Sequence, residues 1–188
     1  MDHNTSTRLI KSALAPEFQL KDINNRSIDL KEYADQKLLI GFFRHAGCPF
    51  CNIRVHNLSK LYEELKPNGF KMIFFFESPV ELISMSSFHG ELSPIPIISD
   101  PEKVWYAKYG LEPSAYKSAV SHLRSFVGTA FEAYRKKLPM HMMKSGESIN
   151  TIPAEFLIDR GLKIHEVHYS ESLTDRMDVG KIRAFAKG

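Results

Sequence analysis

Apolar residues fall into two patterns along this chain: positions that alternate with polar ones or recur every three to four residues, and short unbroken runs. The unbroken runs are Lys37 to Phe43, almost wholly apolar, and Phe70-Lys71-Met72-Ile73-Phe74-Phe75-Phe76-Glu77. Runs of that length predict strands buried on both faces, at the centre of a parallel or mixed sheet. Between them Cys51, Val55, Leu58, Tyr62 and Leu65 share one helical face, which predicts a helix from Pro49 to about Lys66, stopped by Pro67-Asn68-Gly69. Strand, crossover helix and strand make a βαβ unit. Upstream, Phe18 to Asp22 and Ser27 to Leu30 alternate across a turn centred on Ile23-Asn24-Asn25-Arg26, the pattern of a β-hairpin with one wet face. Lys31 to Gln36 then reads as a short helical turn.

After the βαβ unit the rhythm continues with a helix from Pro79 to about His89, a short strand Ile95 to Ser99, and a helix Pro101 to Tyr109 with Asp100 as N-cap and Gly110 as its close. Residues 112–150 interrupt it with a helical insertion. There Tyr116, Val120, Leu123, Val127, Phe131 and Tyr134 form an apolar stripe, read as core packing with a homodimer or partner surface as the alternative. The chain ends in a predicted antiparallel hairpin, Ala154 to Asp159 and Leu162 to His168 across Arg160-Gly161, and a helix from Leu173 to Ala186. The first 14 residues carry no periodic signal and are expected to be a mobile tail. The whole, residues 1–188, is expected to be a single α/β domain with a mixed central sheet.

Composition narrows the classes. Charged residues make up 25% and hydrophobic ones 43%, values of an ordinary folded domain and not of a disordered or collagen-like chain. The net charge of +3 is dispersed, and the densest basic cluster, Arg135-Lys136-Lys137, is too short to suggest a nucleic-acid surface. No apolar stretch approaches the roughly 20 residues of a membrane span. The start, Met1-Asp2-His3-Asn4-Thr5-Ser6, has no basic and apolar leader, so the expected compartment is the cytoplasm.

There thiols are kept reduced and structural disulfides are rare. The chain's only two cysteines, Cys48 and Cys51, stand three apart, a spacing that chance gives a random pair about 1% of the time. They lie in the first turn of the helix that follows the first buried strand. That position predicts a redox dithiol, with Cys48 exposed at the helix tip as the attacking thiol and Cys51 on the core-facing side as the resolving one. Arg44 and His45, just before the turn, are candidates to stabilise a Cys48 thiolate by charge, with solvated loop residues as the plain alternative. Glu155 is weighed as proton acceptor for Cys51, against an exposed glutamate. A zinc site would need two further ligands, of which His45 and His56 are the nearest, and on a helix Cys51 and His56 are five apart and poorly aligned; Met140-His141-Met142-Met143 is read as a loop rather than a copper site. No metal or other cofactor is expected.

A dithiol opening the first crossover helix, Thr151-Ile152-Pro153 before a β-hairpin, and a last helix together resemble the thioredoxin fold, a three-layer α/β/α arrangement. The upstream hairpin and the segment Ile95 to Asp100-Pro101 with Tyr109-Gly110-Leu111 resemble its redoxin branch, the peroxiredoxins of the alkyl hydroperoxide reductase and thiol-specific antioxidant superfamily. The resemblance implies Cys48 as attacking thiol, Cys51 as resolving thiol, and Pro153 as the residue facing them at the mouth of a strand, where a cis bond in a tight turn fits. It departs from the usual Pro-x-x-x-Thr-x-x-Cys pattern: Gly41 stands at the proline position and His45 at the threonine position, so the peroxide-binding hydroxyl is missing. The implied activities are dithiol–disulfide oxidoreductase and, alternatively, antioxidant hydroperoxide reductase, each drawing on a protein or low-molecular-weight thiol reductant. A non-catalytic redox-sensing module is the reading from another class; in it Cys48→Ser leaves partner binding intact.

Overall fold

The computed structural model describes residues 8–85, 94–111, 134–136 and 151–188. Its strands are β1 (Gln19–Lys21), β2 (Ser27–Asp29), β3 (Leu38–Phe42), β4 (Lys71–Phe76), β5 (Ile97–Ser99), β6 (Ala154–Asp159) and β7 (Lys163–Tyr169). Its described helices are α1 (Pro49–Leu65), α2 (Val80–Ser84), α3 (Val104–Lys108) and α4 (Val179–Lys187). β1 and β2 form the expected hairpin. The other five strands make one mixed sheet in the order β5-β4-β3-β6-β7. β3, β4 and β5 run parallel, and β6 and β7 join antiparallel, with Gly41 opposite Phe74 on one side and Glu155 on the other.

Alternation along β3 sorts the core into two layers. Leu39 and Phe43 face a cluster that includes both cysteines, Val55 and Leu58 of α1, and Ile182 and Phe185 of α4. Leu38, Ile40 and Phe42 face the opposite cluster, with Ile28, Tyr106 and Tyr109. The central strands are buried on both sides, which is why their sequence is unbroken apolar rather than alternating. Aromatic rings fill the second layer: Phe42 stacks on Phe75 at 4.6 Å between ring centres and meets Tyr106 and Phe156 edge-on at 5.0 and 5.8 Å. On the opposite face, the missing side chain of Gly41 makes room for the Phe43 ring. A Cβ there would stand 2.9 Å from the Phe43 ring.

Several boundaries differ from the sequence reading. Residues 8–14 are not a mobile tail: Ser12 donates to the Ile164 carbonyl at 2.7 Å, Ile164 to Ala13 at 2.9 Å, and the Leu9 amide to the Tyr169 hydroxyl at 2.8 Å. An unperiodic segment carries no pattern to announce that it will cover the edge of β7. The last helix starts at Val179, not near Leu173. In the segment before it, polar side chains take the backbone groups a helix would use: Asp175 accepts from the Glu171 amide at 2.7 Å, and the Asp175 amide donates to Ser172 Oγ at 3.1 Å. Asp178 then caps the helix by accepting from the Lys181 amide.

Asp100 does cap by its carboxylate, accepting from Val104 at 3.1 Å and Trp105 at 2.8 Å, but the residue at the N-cap position is Lys103, at a φ of 59°. The first seven residues, the end of the helix foreseen after Pro79, the Met140 to Met143 loop and all of the apolar stripe except Tyr134 lie outside the described residues. Tyr134 is exposed.

Candidate active site

The site grows from the carboxyl ends of the parallel strands, the edge at which open α/β sheets bind ligands. β3 hands over to Phe43, Arg44, His45, Ala46 and Gly47 before α1 begins. Cys48 occupies the extended N-cap position, and Pro49 follows at the first helical position, where its missing N–H costs no hydrogen bond. The turn is pinned internally. The Cys48 amide donates to the His45 carbonyl at 3.0 Å, the Asn52 side-chain amide to the Ala46 carbonyl at 2.8 Å, and the Ala46 amide to Ser78 Oγ at 2.8 Å.

Arg44 binds both sulfurs. Its Nη1 lies 3.7 Å from Cys48 Sγ, and its own backbone amide lies 3.4 Å from Cys51 Sγ. The arginine is wholly buried, as are both cysteines. Cys48 therefore does not stand exposed at the helix tip as expected: it is buried in one apolar cluster with Phe50, Ile152, Leu173 and Met177. Segments distant in sequence do this, which spacing alone does not reveal.

Burial makes the two thiols different. Desolvation pushes the Cys48 thiol up, but the hydrogen bond from the Cys51 thiol, the Arg44 guanidinium, the Cys51 amide and the charge of Arg176 outweigh it and bring Cys48 down to about 6. Desolvation, the hydrogen bond it gives to Cys48 and the repulsion of the Cys48 charge push Cys51 well above its ordinary value. The pair thus gives up one proton easily and holds the second. A thiolate next to a protonated thiol is the ground state at neutral pH.

The remaining sequence candidates sort as follows. His45 is buried in the turn and contributes its carbonyl oxygen to the Cys48 amide. Pro153 is buried at the mouth of β6, next to Ala154, which pairs with Phe42, and its carbonyl accepts from the Ser170 amide at 3.1 Å. Glu155 is neither exposed nor turned to Cys51. Its carboxylate is fully buried and holds Arg54 in a two-point pair at 2.8 and 2.6 Å, and it also accepts from the Met177 amide at 3.2 Å.

Two further groups escaped the sequence reading. Glu77, immediately after β4, is fully buried; it accepts from Thr151 Oγ1 at 2.6 Å and pairs with Lys103 Nζ at 3.0 Å. This ties the Ile152-Pro153 turn to the loops that follow β4 and β5. Arg176 sends its charge toward both sulfurs from the segment before α4. Neither belongs to a local motif, so only the charged residue types themselves, at the ends of apolar strands, were available as a signal.

Over residues 12–167 the chain matches the AhpC/TSA family. It is a member of that family. No curated protein matches the chain. Among solved structures, this AhpC/TSA protein is similar to one from Chlorobium tepidum assigned as the thiol:disulfide interchange protein DsbE, at 16% identity and a TM-score of 0.63, covering 96% of this chain and 99% of the other. A thiol peroxidase from Chromobacterium violaceum is similar at 15% identity and a TM-score of 0.64, over 95% and 86% of the two chains. A yeast mitochondrial 1-Cys peroxiredoxin, described with thiol resolution through glutathione and thioredoxin systems, is similar at 17% identity and a TM-score of 0.56, over 93% and 73%. At these identities the likeness is one of fold. The AhpC/TSA protein shares the thioredoxin-like α/β architecture of all three, with an N-terminal hairpin.

Proposed function

We propose that this AhpC/TSA-family protein is a dithiol–disulfide oxidoreductase in which Cys48 attacks and Cys51 resolves. The observation that carries the reading is Arg44 placed on both sulfurs, its guanidinium on Cys48 and its amide on Cys51. The Cys48 thiolate attacks one sulfur of a disulfide R–S–S–R, forming Cys48–S–S–R and releasing RS⁻. Cys51 then loses its proton to solvent or to the leaving thiolate and attacks the Cys48 sulfur. The second RS⁻ departs, leaving a Cys48–Cys51 disulfide, the dithiol having given two electrons to the substrate. A protein or low-molecular-weight thiol, supplied by the reducing cytoplasm in this reading, restores the dithiol by the reverse sequence. In this reading Pro153, at the mouth of β6, faces the dithiol, the His45 carbonyl holds the Cys48 amide, and Arg44 stabilises the thiolate both as attacking and as leaving group.

Hydroperoxide reduction is the second reading, favoured by family membership and by the absence of exposed surface at Cys48, which a small oxidant reaches with the least opening. In it Cys48 displaces RO⁻ from ROOH to form a sulfenic acid, and Cys51 condenses with that to give the same disulfide and water. Reacting the reduced protein with 2-hydroxyethyl disulfide and with hydrogen peroxide at equal concentration, and following loss of free Cys48 by mass spectrometry, separates the two. Faster loss with the disulfide supports the oxidoreductase. Loss with peroxide at least about a hundredfold faster, some 2.7 kcal/mol in barrier, makes the protein a peroxidase.

A further inference from the structure

Both cysteines lack exposed surface, so a disulfide brings its sulfur to Cys48 only after one of the surrounding walls has moved. Three of the described walls are firmly built. The dithiol turn is pinned at His45, Ala46 and Ser78, α1 is a helix of 17 residues, and the Ile152-Pro153 turn is tied through Thr151 to Glu77 and leads into β6. The fourth wall is the segment from Ser170 to Asp178, between β7 and α4, which follows neither helix nor strand. It lies against the first turns of α1, where a cavity of about 210 Å³ separates Leu173 and Thr174 from Phe50 and Ile53. Thr174 is exposed, but Leu173 beside it is wholly buried and shares one apolar cluster with Phe50, Cys48 and Cys51. A buried leucine in an irregular segment with exposed neighbours is an inserted plug.

The segment is fixed at its two ends by backbone groups. The Ser170 amide donates to the Pro153 carbonyl at 3.1 Å; at the other end the Met177 amide donates to Glu155 at 3.2 Å, and the Met177 carbonyl accepts from Arg54 at 2.7 Å. Between these ends the bonds converge on Asp175. Its amide donates to Ser172 Oγ at 3.1 Å, its carbonyl accepts from Ser170 Oγ at 2.8 Å, and its carboxylate accepts from the Glu171 amide at 2.7 Å, all within the segment. The same carboxylate reaches the sheet once, at His168 Nε2 of β7, 3.0 Å away. The two side chains of that contact are 27% and 34% exposed, so water competes for it and it opens more easily than a buried tie. The cavity behind Leu173 leaves fewer packed atoms to separate when the middle lifts.

We propose that the segment from Ser170 to Asp178 is a gate over the dithiol, with Leu173 as its plug and the Asp175–His168 contact as its latch, and that it admits substrates to Cys48 by size. The inference rests on the dithiol reading above and adds what controls access to that site. The ends at Ser170 and Met177 stay bonded while the middle lifts, the behaviour of a hinged lid. The exchange chemistry is the one already written. A disulfide brings two sulfurs and both their substituents to Cys48 and needs the gate wider open than a peroxide does.

The test labels Cys48 of the reduced protein at pH 7.5, where it is thiolate, with N-ethylmaleimide and with the bulkier N-(1-pyrenyl)maleimide, each rate divided by that of the same reagent on N-acetylcysteine. In the wild type the pyrenyl reagent is expected to lag the ethyl one by about tenfold or more, a readout that needs no variant to fold. His168→Ala, which frees the latch, and Leu173→Ala, which shortens the plug, are each expected to raise the pyrenyl rate about tenfold, the size of one good hydrogen bond to a charged group, and the ethyl rate by less. Reduction of insulin disulfides should rise with the pyrenyl rate. Leu30→Ala, in the core layer on the other side of the sheet, weakens the fold without touching the segment and is expected to leave both rates as in the wild type. Equal relative rates for the two reagents in the wild type overturn the gate, as does a pyrenyl rate unchanged in both His168→Ala and Leu173→Ala, or raised as much in Leu30→Ala. The dithiol reading fails separately: if 2-hydroxyethyl disulfide oxidises none of these proteins while the labelling rates follow the expected order, the gate stands and the exchange does not.

Discussion

At the scale of single residues, the chemistry turns on one buried arginine and two inequivalent thiols. With Cys48 near 6, about 90% of it is thiolate at pH 7. Iodoacetamide is therefore expected to label Cys48 with an apparent pKa near 6 and to spare Cys51, peptide mass spectrometry locating the label. Removing the guanidinium by Arg44→Met should move the Cys48 titration up by a unit or more and cut the thiolate share at pH 7 to about half or less. An unchanged titration in that variant shows that Arg44 is not the controlling charge.

The same groups set how the reduced protein responds to pH. Cys48 titrates lower in the folded than in the unfolded chain, where its ordinary value is 9.0, so between about 6 and 9 the unfolded state binds more protons. This contribution to stability is complete above pH 9 and is lost as the pH falls through 6. Cys51 acts in the opposite sense: its contribution is present below its ordinary value and is lost as the pH rises above it. Urea unfolding of reduced wild type against Cys48→Ser is expected to show a gap that widens from pH 6 to pH 9. Parallel curves exclude the linkage.

At the scale of elements, the Arg54–Glu155 pair decides how α1 sits. It joins the helix to β6 and, through the Met177 carbonyl and amide, to the segment that carries Arg176. Two buried charges gain little over an apolar pair, but removing one leaves the other stranded at a cost of about 3–5 kcal/mol. Glu155→Ala should lower the unfolding free energy by that amount in chemical denaturation, and Glu155→Gln, which keeps an acceptor, by less. Equal losses in the two would mean that shape rather than charge is at stake. A second element-scale device is Lys103, whose left-handed backbone brings its amine to Glu77 and Thr151 and so holds the Ile152-Pro153 turn beside the dithiol loop.

At the scale of the whole molecule, the N-terminal segment closes the sheet. Leu14 forms an isolated antiparallel bridge with Lys163, and the Tyr169 hydroxyl accepts from Leu9 while donating to the Tyr109 carbonyl at 2.7 Å, joining three distant stretches at one atom. An edge strand left open is a template for pairing with other chains, and this segment covers part of it. Tyr169→Phe is expected to cost about 1–3 kcal/mol, because the buried Tyr109 carbonyl and the half-buried Leu9 amide lose their bond at once; a shift in the urea midpoint measures it. The βαβ unit, the buried central strands and the closing antiparallel hairpin were legible in the sequence because strand burial, helix periodicity and turn residues are local signals; the order of the five strands came only with the structure. The dithiol was legible because two cysteines three apart in a helix's first turn have few other uses.

The sequence by itself determined which stretches become strands and helices, that the two thiols meet, and that Arg44 and His45 flank them, since each depends on neighbours within a few residues. Tertiary structure alone decided that Cys48 is sealed, that Glu155 belongs to Arg54 rather than to Cys51, that residues 8–14 are docked, and that Arg176 comes to the dithiol from more than a hundred residues away. Those outcomes rest on which charges share a low-dielectric interior, a matter of packing between layers that no local pattern encodes.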